Sequence, residues 1–381
     1  MAAVWVQSGS PQRTKRLGRN RLGFDVSTEG GSSACGVGEL YDTRYTARTG
    51  KNGHATITAR PNEDDLIARY FAPLAGEGGL ALKDDAALLT PPAGHDLVLT
   101  VDGLVGGVHF FADDPPGPVA RKALRVNLSD LAAKGARPLG FLLTLALPPD
   151  WSAKWLADFV AGLGDDSLAY GCPLLGGDTV KTPGPLTLSI TAIGAVPTGR
   201  MVLRTGARAG DLIYVTGTIG DGALGLQARL GHLPHINEAA HAHLLDRYLL
   251  PRPRLALADA MAGHASGGMD ISDGLVGDLS KMLRVSGVTC EVDLSLLPLS
   301  AAAREAIEAD PRLFEIAVTG GDDYELLASV APAEASAFEA AAGAARVSVT
   351  RVGEVRAGPA PPRFLRDGGE IVFRHGAFSH F

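Results

Sequence analysis

The chain has 381 residues, enough for two or three domains, and its 46 % hydrophobic and 20 % charged content supports sizeable cores rather than a disordered or low-complexity protein. The net charge of −7 divides unevenly, with nine Lys/Arg against four Asp/Glu in residues 1–60 and −12 on residues 61–381. An acidic body argues against a nucleic-acid surface and suits bound cations, while no apolar run is long enough to span a bilayer. Cys35, Cys172 and Cys290 have no CxxC spacing, which fits a reducing, cytoplasmic setting and neither a disulfide framework nor a cysteine zinc site.

Residues 1–60, rich in Gly, Ser, Thr and Arg and without periodicity, read as a disordered N-terminal extension outside the fold. Asp64 to Phe71 predicts a short helix with acidic residues in its first turn and an apolar face of Leu66, Ile67, Tyr70 and Phe71. Lys83-Asp84-Asp85 comes next, ahead of the strand-like run Ala86 to Leu89. Two like charges 4 Å apart repel by ~1 kcal/mol in water and ~4 kcal/mol at an effective dielectric near 20. The pair is therefore either a solvated turn or a place for a cation. Asp96 to Asp102 predicts a buried strand ending on a carboxylate, after which Gly103, Gly106 and Gly107 turn the chain into Val108-His109-Phe110-Phe111.

Val119 to Lys134 reads as a helix closed by Gly135. Asn127 and Asp130 are polar groups on its mostly apolar surface, either an exposed stripe or a buried functional pair. Phe141 to Leu147 is a continuous apolar strand. Ser152 can cap the following helix, whose core stripe is Trp155, Leu156, Phe159, Val160 and Leu163. Pro173-Leu174-Leu175 runs into Gly176-Gly177-Asp178-Thr179, where paired glycines allow close approach to phosphate oxygens, and Leu186 to Ala195 returns as a strand.

The second half begins near residue 198. Arg204 lies in a connector before the strand Asp211 to Gly217, and helices are expected from Asp221 and over Leu255 to Met261. Met269-Asp270-Ile271-Ser272-Asp273-Gly274-Leu275 is a strand-to-helix junction, with Ser272 or Asp273 available as a helix cap. Thr319-Gly320-Gly321-Asp322-Asp323-Tyr324-Glu325 repeats the theme of glycines, two carboxylates and a strand. A helix near Ala333 to Ala342 and a strand over Val347 to Val355 precede a tail ending Phe378-Ser379-His380-Phe381. Alternating strands and helices in both halves predict two α/β or α+β domains, residues 61–197 and 198–381.

Carboxylates thus recur at Asp84, Asp85, Asp102, Asp130, Asp178, Asp270, Asp273, Asp322 and Asp323, mostly at strand ends or glycine turns. Oxygen-only ligands on such turns suit a hard cation such as Mg²⁺, which bridges readily to substrate phosphates. Several such ions would neutralise a polyphosphate, the main demand of phosphoryl transfer. The P-loop, GxSxG and HExxH motifs are absent from the body.

Taken together in this order, the Asp84-Asp85-Ala86-Ala87, Thr100-Val101-Asp102, Gly107-Val108-His109-Phe110 and Asn127-Leu128-Ser129-Asp130-Leu131-Ala132-Ala133 stretches resemble the thiamine-monophosphate kinase family. The Gly176-Gly177-Asp178-Thr179, Asp270-Ile271-Ser272-Asp273-Gly274 and Gly320-Gly321-Asp322-Asp323-Tyr324-Glu325 motifs extend the resemblance to the whole body. The family belongs to an ATP-binding superfamily that includes aminoimidazole ribonucleotide synthetase. The resemblance implies ATP-dependent phosphorylation of thiamine monophosphate by direct in-line transfer, in a homodimer whose N-terminal sheets join into a barrel beside a helix-covered C-terminal sheet. It implies Mg²⁺ ligation by Asp85, Thr100, Val101, Asp102, Asp130, Asp178, Asp270 and Asp273. It implies ATP contacts at Gly177, Asp178, Arg204 and Ser272, and substrate contacts at His109, Asp322 and Phe378. The chain departs from the family pattern at Lys83 (usually Gly), Val101 (usually Thr, so only a backbone carbonyl could ligate) and Asp322 (usually Glu). The alternatives are another ATP-dependent enzyme of the superfamily, such as selenophosphate synthetase, or a non-catalytic binder of thiamine phosphate or nucleotide.

Overall fold

In the first half, alternation of side chains decides which face of each strand is buried. Strand β1 (His95–Val105) buries Val98 and Leu104 while Leu97, Leu99 and Val101 stay exposed. The computed structural model describes residues 61–373; the N-terminal extension and Phe378 lie outside the described residues. Helix α1 (Glu63–Leu66), begun by the Asn62 cap, precedes β1 and runs on into a wider π turn (Ile67–Phe71). Helix α2 (Pro116–Ala133), strand β2 (Arg137–Leu147), helix α3 (Ala153–Tyr170), strand β3 (Leu174–Lys181) and strand β4 (Thr187–Pro197) complete this half. The sheet is open, in the order β1-β4-β2-β3, with β2 and β3 parallel and the other pairs antiparallel. Leu124, Leu128, Leu156, Phe159 and Leu163 from α2 and α3 pack on Phe141, Leu143, Leu145, Leu188 and Ile190. Each such buried side chain contributes roughly 1.5–3 kcal/mol.

The second half comprises β5 (Leu212–Thr216), α4 (Asp221–Arg229), α5 (Glu238–Leu249), α6 (Ala258–His264), β6 (Ala265–Ile271), α7 (Leu275–Ser286), β7 (Val288–Asp293), α8 (Ala301–Ala309) and α9 (Leu313–Thr319). Strand β8 (Glu325–Val330), helix α10 (Ala335–Ala344) and strands β9 (Val349–Ala357), β10 (Arg363–Arg366) and β11 (Gly369–Ile371) follow. Its seven strands run β11-β10-β7-β9-β5-β8-β6, so β6 forms one edge. α2 also packs Ala132 and Ala133 against Val202, Leu257, Met261 and Leu326, making one element common to both halves. Among the described residues no helix is long and apolar enough to cross a membrane.

Several boundaries differ from expectation for definable reasons. α2 begins three residues earlier, at Pro116, because a first-turn proline lacks an N–H that would be unsatisfied there anyway. β1 does not end on Asp102: Gly103 stays in the ladder opposite Ser189, and the turn comes at Gly107, where φ is +82°. β2 starts at Arg137, reached through an irregularity at Pro138/Gly140 that keeps it paired with β4. Ala86 to Leu89 forms no strand; Leu88 donates one backbone bond to Gly78 (2.8 Å) and the stretch lacks a partner strand. Neither Ser272 nor Asp273 caps α7. Asp278 reaches back instead, accepting from the Ser272 and Asp273 backbone N–H groups at 3.0 and 2.8 Å.

Candidate functional site

The junction of the two halves gathers five of the expected metal ligands. Thr100 and Asp102 sit on the helix-facing side of β1, where the Thr100 hydroxyl donates to Asp130 of α2 in a short hydrogen bond. The Asp102 N–H donates to Asn127 Oδ1 at 3.2 Å, and the wholly buried Asn127 donates back to the Ala123 carbonyl at 3.0 Å. Asn127 is thus a buried bracket for the end of β1, and Asp130 is partly buried rather than on an exposed stripe. From the other half, β6 delivers Asp270, 5 % exposed, with Ser272 and Asp273 just beyond its end.

Electrostatics follow from this convergence. Burial pushes the Asp270 carboxyl well above the usual range, and the charges of Asp130, Asp278 and Asp102 push it further. Burial likewise raises Asp102, with Asp130 and Asp273 adding to the effect. Lys281 bonds to Asp273 and, at 2.9 Å, to Asp278, offsetting the charge at that end. Lys134, four residues beyond Asp130, donates to the Gly268 carbonyl at 2.9 Å, and burial and then the neighbouring Arg204 lower its amine to about 8. Arg204 therefore stands on the same side of the junction.

Among the described residues no three His, Cys, Asp or Glu side chains converge tightly enough to ring an ion alone. Mg²⁺ does not require that, because it keeps several waters and takes one or two carboxylates together with phosphate oxygens. A set of hard oxygen donors in which Asp102 and Asp270 are both raised by burial and by neighbouring carboxylates fits such an ion.

Asp85 and Asp178 are placed elsewhere. They line a cleft of about 640 Å³ with Gly177, Thr144, Leu142 and Thr191. Cross-strand register explains the separation. Asp102 lies in the row Asp102–Ile190–Leu143–Gly177, and Asp178 one row on, opposite Thr144, so the two carboxylates leave opposite faces of one sheet. Three strand spacings separate their strands, ~14 Å in all. Val101, 53 % exposed, also points away from Asp102, so its side chain plays no part in the junction. Lys83 has φ −110°, an ordinary value for any residue; the left-handed positions are Leu80, Ala81 and Leu82 just before it.

His109 and Asp322 share a second cleft, of about 210 Å³, between the loop Gly107–Phe111 and the helices of the second half. Phe111, Gln227, Tyr248, Ser272, Gly320 and Gly321 also line it. His109 Nδ1 accepts from the Val105 N–H at 3.0 Å, which fixes the ring at the end of β1. Arg229 holds the loop from α4, bonding Asp114 at 3.0 Å and Asp113 at 2.6 Å and lying over the Phe111 ring at 4.4 Å. Sequence reasoning missed Tyr324. Burial and then Asp322, Asp102 and Asp270 raise its phenol well above normal, so it stands between this cleft and the carboxylate junction.

The first half matches the AIR synthase related protein N-terminal domain over residues 83–196, and the second its C-terminal domain over residues 208–362. The fold is that of the AIR synthase related proteins. A thiamine-monophosphate kinase of Caulobacter vibrioides is 45 % identical over 305 residues, covering 79 % of this chain and 86 % of that protein. A crystal structure of thiamine-monophosphate kinase from Stenotrophomonas maltophilia superposes with TM-score 0.69 and 38 % identity, covering 76 % of this chain and 91 % of that one. AaThiL complexed with AMPPCP and TMP superposes with TM-score 0.67 and 31 % identity, covering 78 % and 91 %. The chain belongs to the thiamine-monophosphate kinase family.

Proposed function

We propose that this protein phosphorylates thiamine monophosphate to thiamine diphosphate with ATP as donor. The observation that carries the reading is the adjacency of two features: a cleft holding His109 and Asp322, and the carboxylate group Asp102, Asp130 and Asp270, with Ser272 and Tyr324 between them. The family relative bound to AMPPCP and TMP supports both ligands.

Asp102, Asp130, Asp270 and Asp273, with the Thr100 hydroxyl, would hold Mg²⁺, which spreads the charge developing on the transferring phosphoryl group. Of the expected nucleotide contacts, Arg204 and Ser272 would meet the nucleotide at the junction, whereas Gly177 and Asp178 line the separate cleft on the other sheet face; a Cβ at Gly177 would stand 1.9 Å from the Leu143 oxygen, so only glycine fits there. A terminal oxygen of the substrate phosphate forms a bond to the γ-phosphorus of ATP as the β–γ bridging P–O bond breaks, releasing ADP. Phosphate monoesters are largely ionised near neutral pH, their second pKa being about 6, so a strong general base is not required.

The exposed apolar residues Leu97, Leu99, Val101 and Leu142 on the helix-free face of the first sheet support a homodimer joined through that face. The buried, unpaired thiols Cys172 and Cys290 suit the cytoplasm.

Incubation with ATP, Mg²⁺ and thiamine monophosphate should give thiamine diphosphate and ADP in equal amounts. A folded, ATP-binding protein that makes no thiamine diphosphate refutes the reading. A kinetically competent phosphoenzyme in rapid-quench experiments would refute direct transfer.

A further inference from the structure

α2 carries a lysine that the site described above leaves without a role. Lys122 is 3 % exposed although it sits on the first-half helix, and its ammonium finds two partners from the second half. It lies 3.1 Å from Asp322 Oδ2 and 3.9 Å from the centroid of the Tyr248 ring. Burying an ammonium is costly unless it is paired, so this arrangement must be maintained by the geometry around it. Asp322 and Tyr248 both line the 210 Å³ cleft.

Besides Lys122, the Asp322 carboxylate has one side-chain partner, the Tyr324 hydroxyl. The Asp322 backbone is left-handed, at φ +72°, between Gly321 and Asp323, and such a conformation persists in a non-glycine residue only when its surroundings hold it. Its N–H donates to the Ser272 carbonyl at 3.0 Å, which fixes the main chain but not the carboxylate. Lys122 approaches the carboxylate from α2. The Tyr248 ring, which meets Phe111 edge-on at 6.4 Å, supplies an aromatic wall on which the ammonium rests. The cleft thus offers aromatic faces and one fixed acceptor, the complement of an amino-substituted heteroaromatic ring.

We infer that Lys122 is a positioning residue for the thiamine substrate, holding the Asp322 carboxylate in the cleft through their ion pair while resting on Tyr248. The inference rests on the kinase reading given above. Lys122 acts through Asp322 in the cleft it lines, so its loss should fall on one substrate only.

The test is steady-state kinetics of Lys122→Met, Asp322→Asn and the double variant, with the two substrates varied separately. Lys122→Met should raise the KM for thiamine monophosphate at least about tenfold, leaving kcat and the ATP KM within about threefold. In the Asp322→Asn background the same substitution should change the thiamine-monophosphate KM by less than about twofold, because the residue it acts through is already altered. Should Lys122→Met fail to fold, Lys122→Arg takes its place. Its wider fork displaces the carboxylate, and the thiamine-monophosphate KM should rise about threefold with the ATP KM unchanged. Equal losses for both substrates, or the same loss in both backgrounds, overturn the assignment while the kinase reading stands. A wild-type protein that turns over no thiamine monophosphate overturns both.

Discussion

Asp270→Asn separates the cost of assembling the carboxylate junction from its use. Asp270 is 5 % exposed, and burial, then Asp130, Asp278 and Asp102, hold its carboxyl well above the ordinary range. Two carboxylates on the order of 6 Å apart repel by ~3 kcal/mol at an effective dielectric near 20. Proton uptake relieves part of this without metal, so the neutral amide should stabilise the metal-free protein by about 1–2 kcal/mol. That corresponds to a rise in Tm of roughly 1.5–3 °C for a chain of this size. The sign with pH follows from the raised pKa. The folded state keeps a proton that the unfolded state gives up near pH ~3.9. Its contribution to stability is complete below that pH and is lost as pH rises through the folded pKa. Wild-type Tm in EDTA should therefore fall with rising pH more steeply than that of the variant. Melting curves in EDTA and in Mg²⁺, beside turnover measurements, check the reasoning. The variant should melt higher in EDTA, lose the Mg²⁺-dependent increment and lose turnover by at least about 100-fold. A variant that melts lower in EDTA, yet keeps its Mg²⁺ increment and turnover, refutes it.

Four further outcomes follow from particular positions. Leu99 is 64 % exposed on the helix-free sheet face, so Leu99→Glu should leave the circular dichroism spectrum intact and halve the mass by light scattering; a folded variant that stays dimeric rules that face out. Gly177→Ala forces its Cβ to 1.9 Å from the Leu143 oxygen, so β3 must shift. We expect a loss of about 1–3 kcal/mol in stability and an ATP KM raised at least about fivefold; an unchanged ATP KM would remove Gly177 from the nucleotide site. Ala81 adopts φ +58° and ψ +23°, so Ala81→Gly should stabilise the fold by about 1 kcal/mol in urea unfolding. Lys83→Gly, at an unstrained φ, should instead stay within ~0.5 kcal/mol or weaken it.

The sequence made the carboxylates legible because Asp102, Asp130 and Asp270 stand out against apolar strands and an apolar helix. Their division between two places was not legible. It depends on period two and on register: Asp102 falls in one cross-strand row and Asp178 in the next, and adjacent rows face opposite ways. Lys122 was overlooked for a different reason. A lysine on a helix normally snorkels to water, and what buries this one lies 126 and 200 positions away, at Tyr248 and Asp322. One signal was present: Lys122 and Ser129 share a helix face at i and i+7, and Ser129 donates to the Tyr324 carbonyl at 3.3 Å.

These contacts make α2 the gauge between the two halves. Its surface toward the first sheet brackets β1 through Asn127 and Asp130. Toward the second sheet, Lys122 and Ser129 meet the turn carrying Asp322 and Tyr324, while Lys134 binds the Gly268 carbonyl two residues before Asp270. Carboxylates from both halves are thus referred to one 18-residue rod rather than to each other. Such a rod resists the repulsion that would otherwise drive Asp102, Asp130 and Asp270 apart, because moving any one of them disturbs apolar packing on both sides of the helix. The junction can then keep its charges close, the preorganisation that the proposed phosphoryl transfer would use.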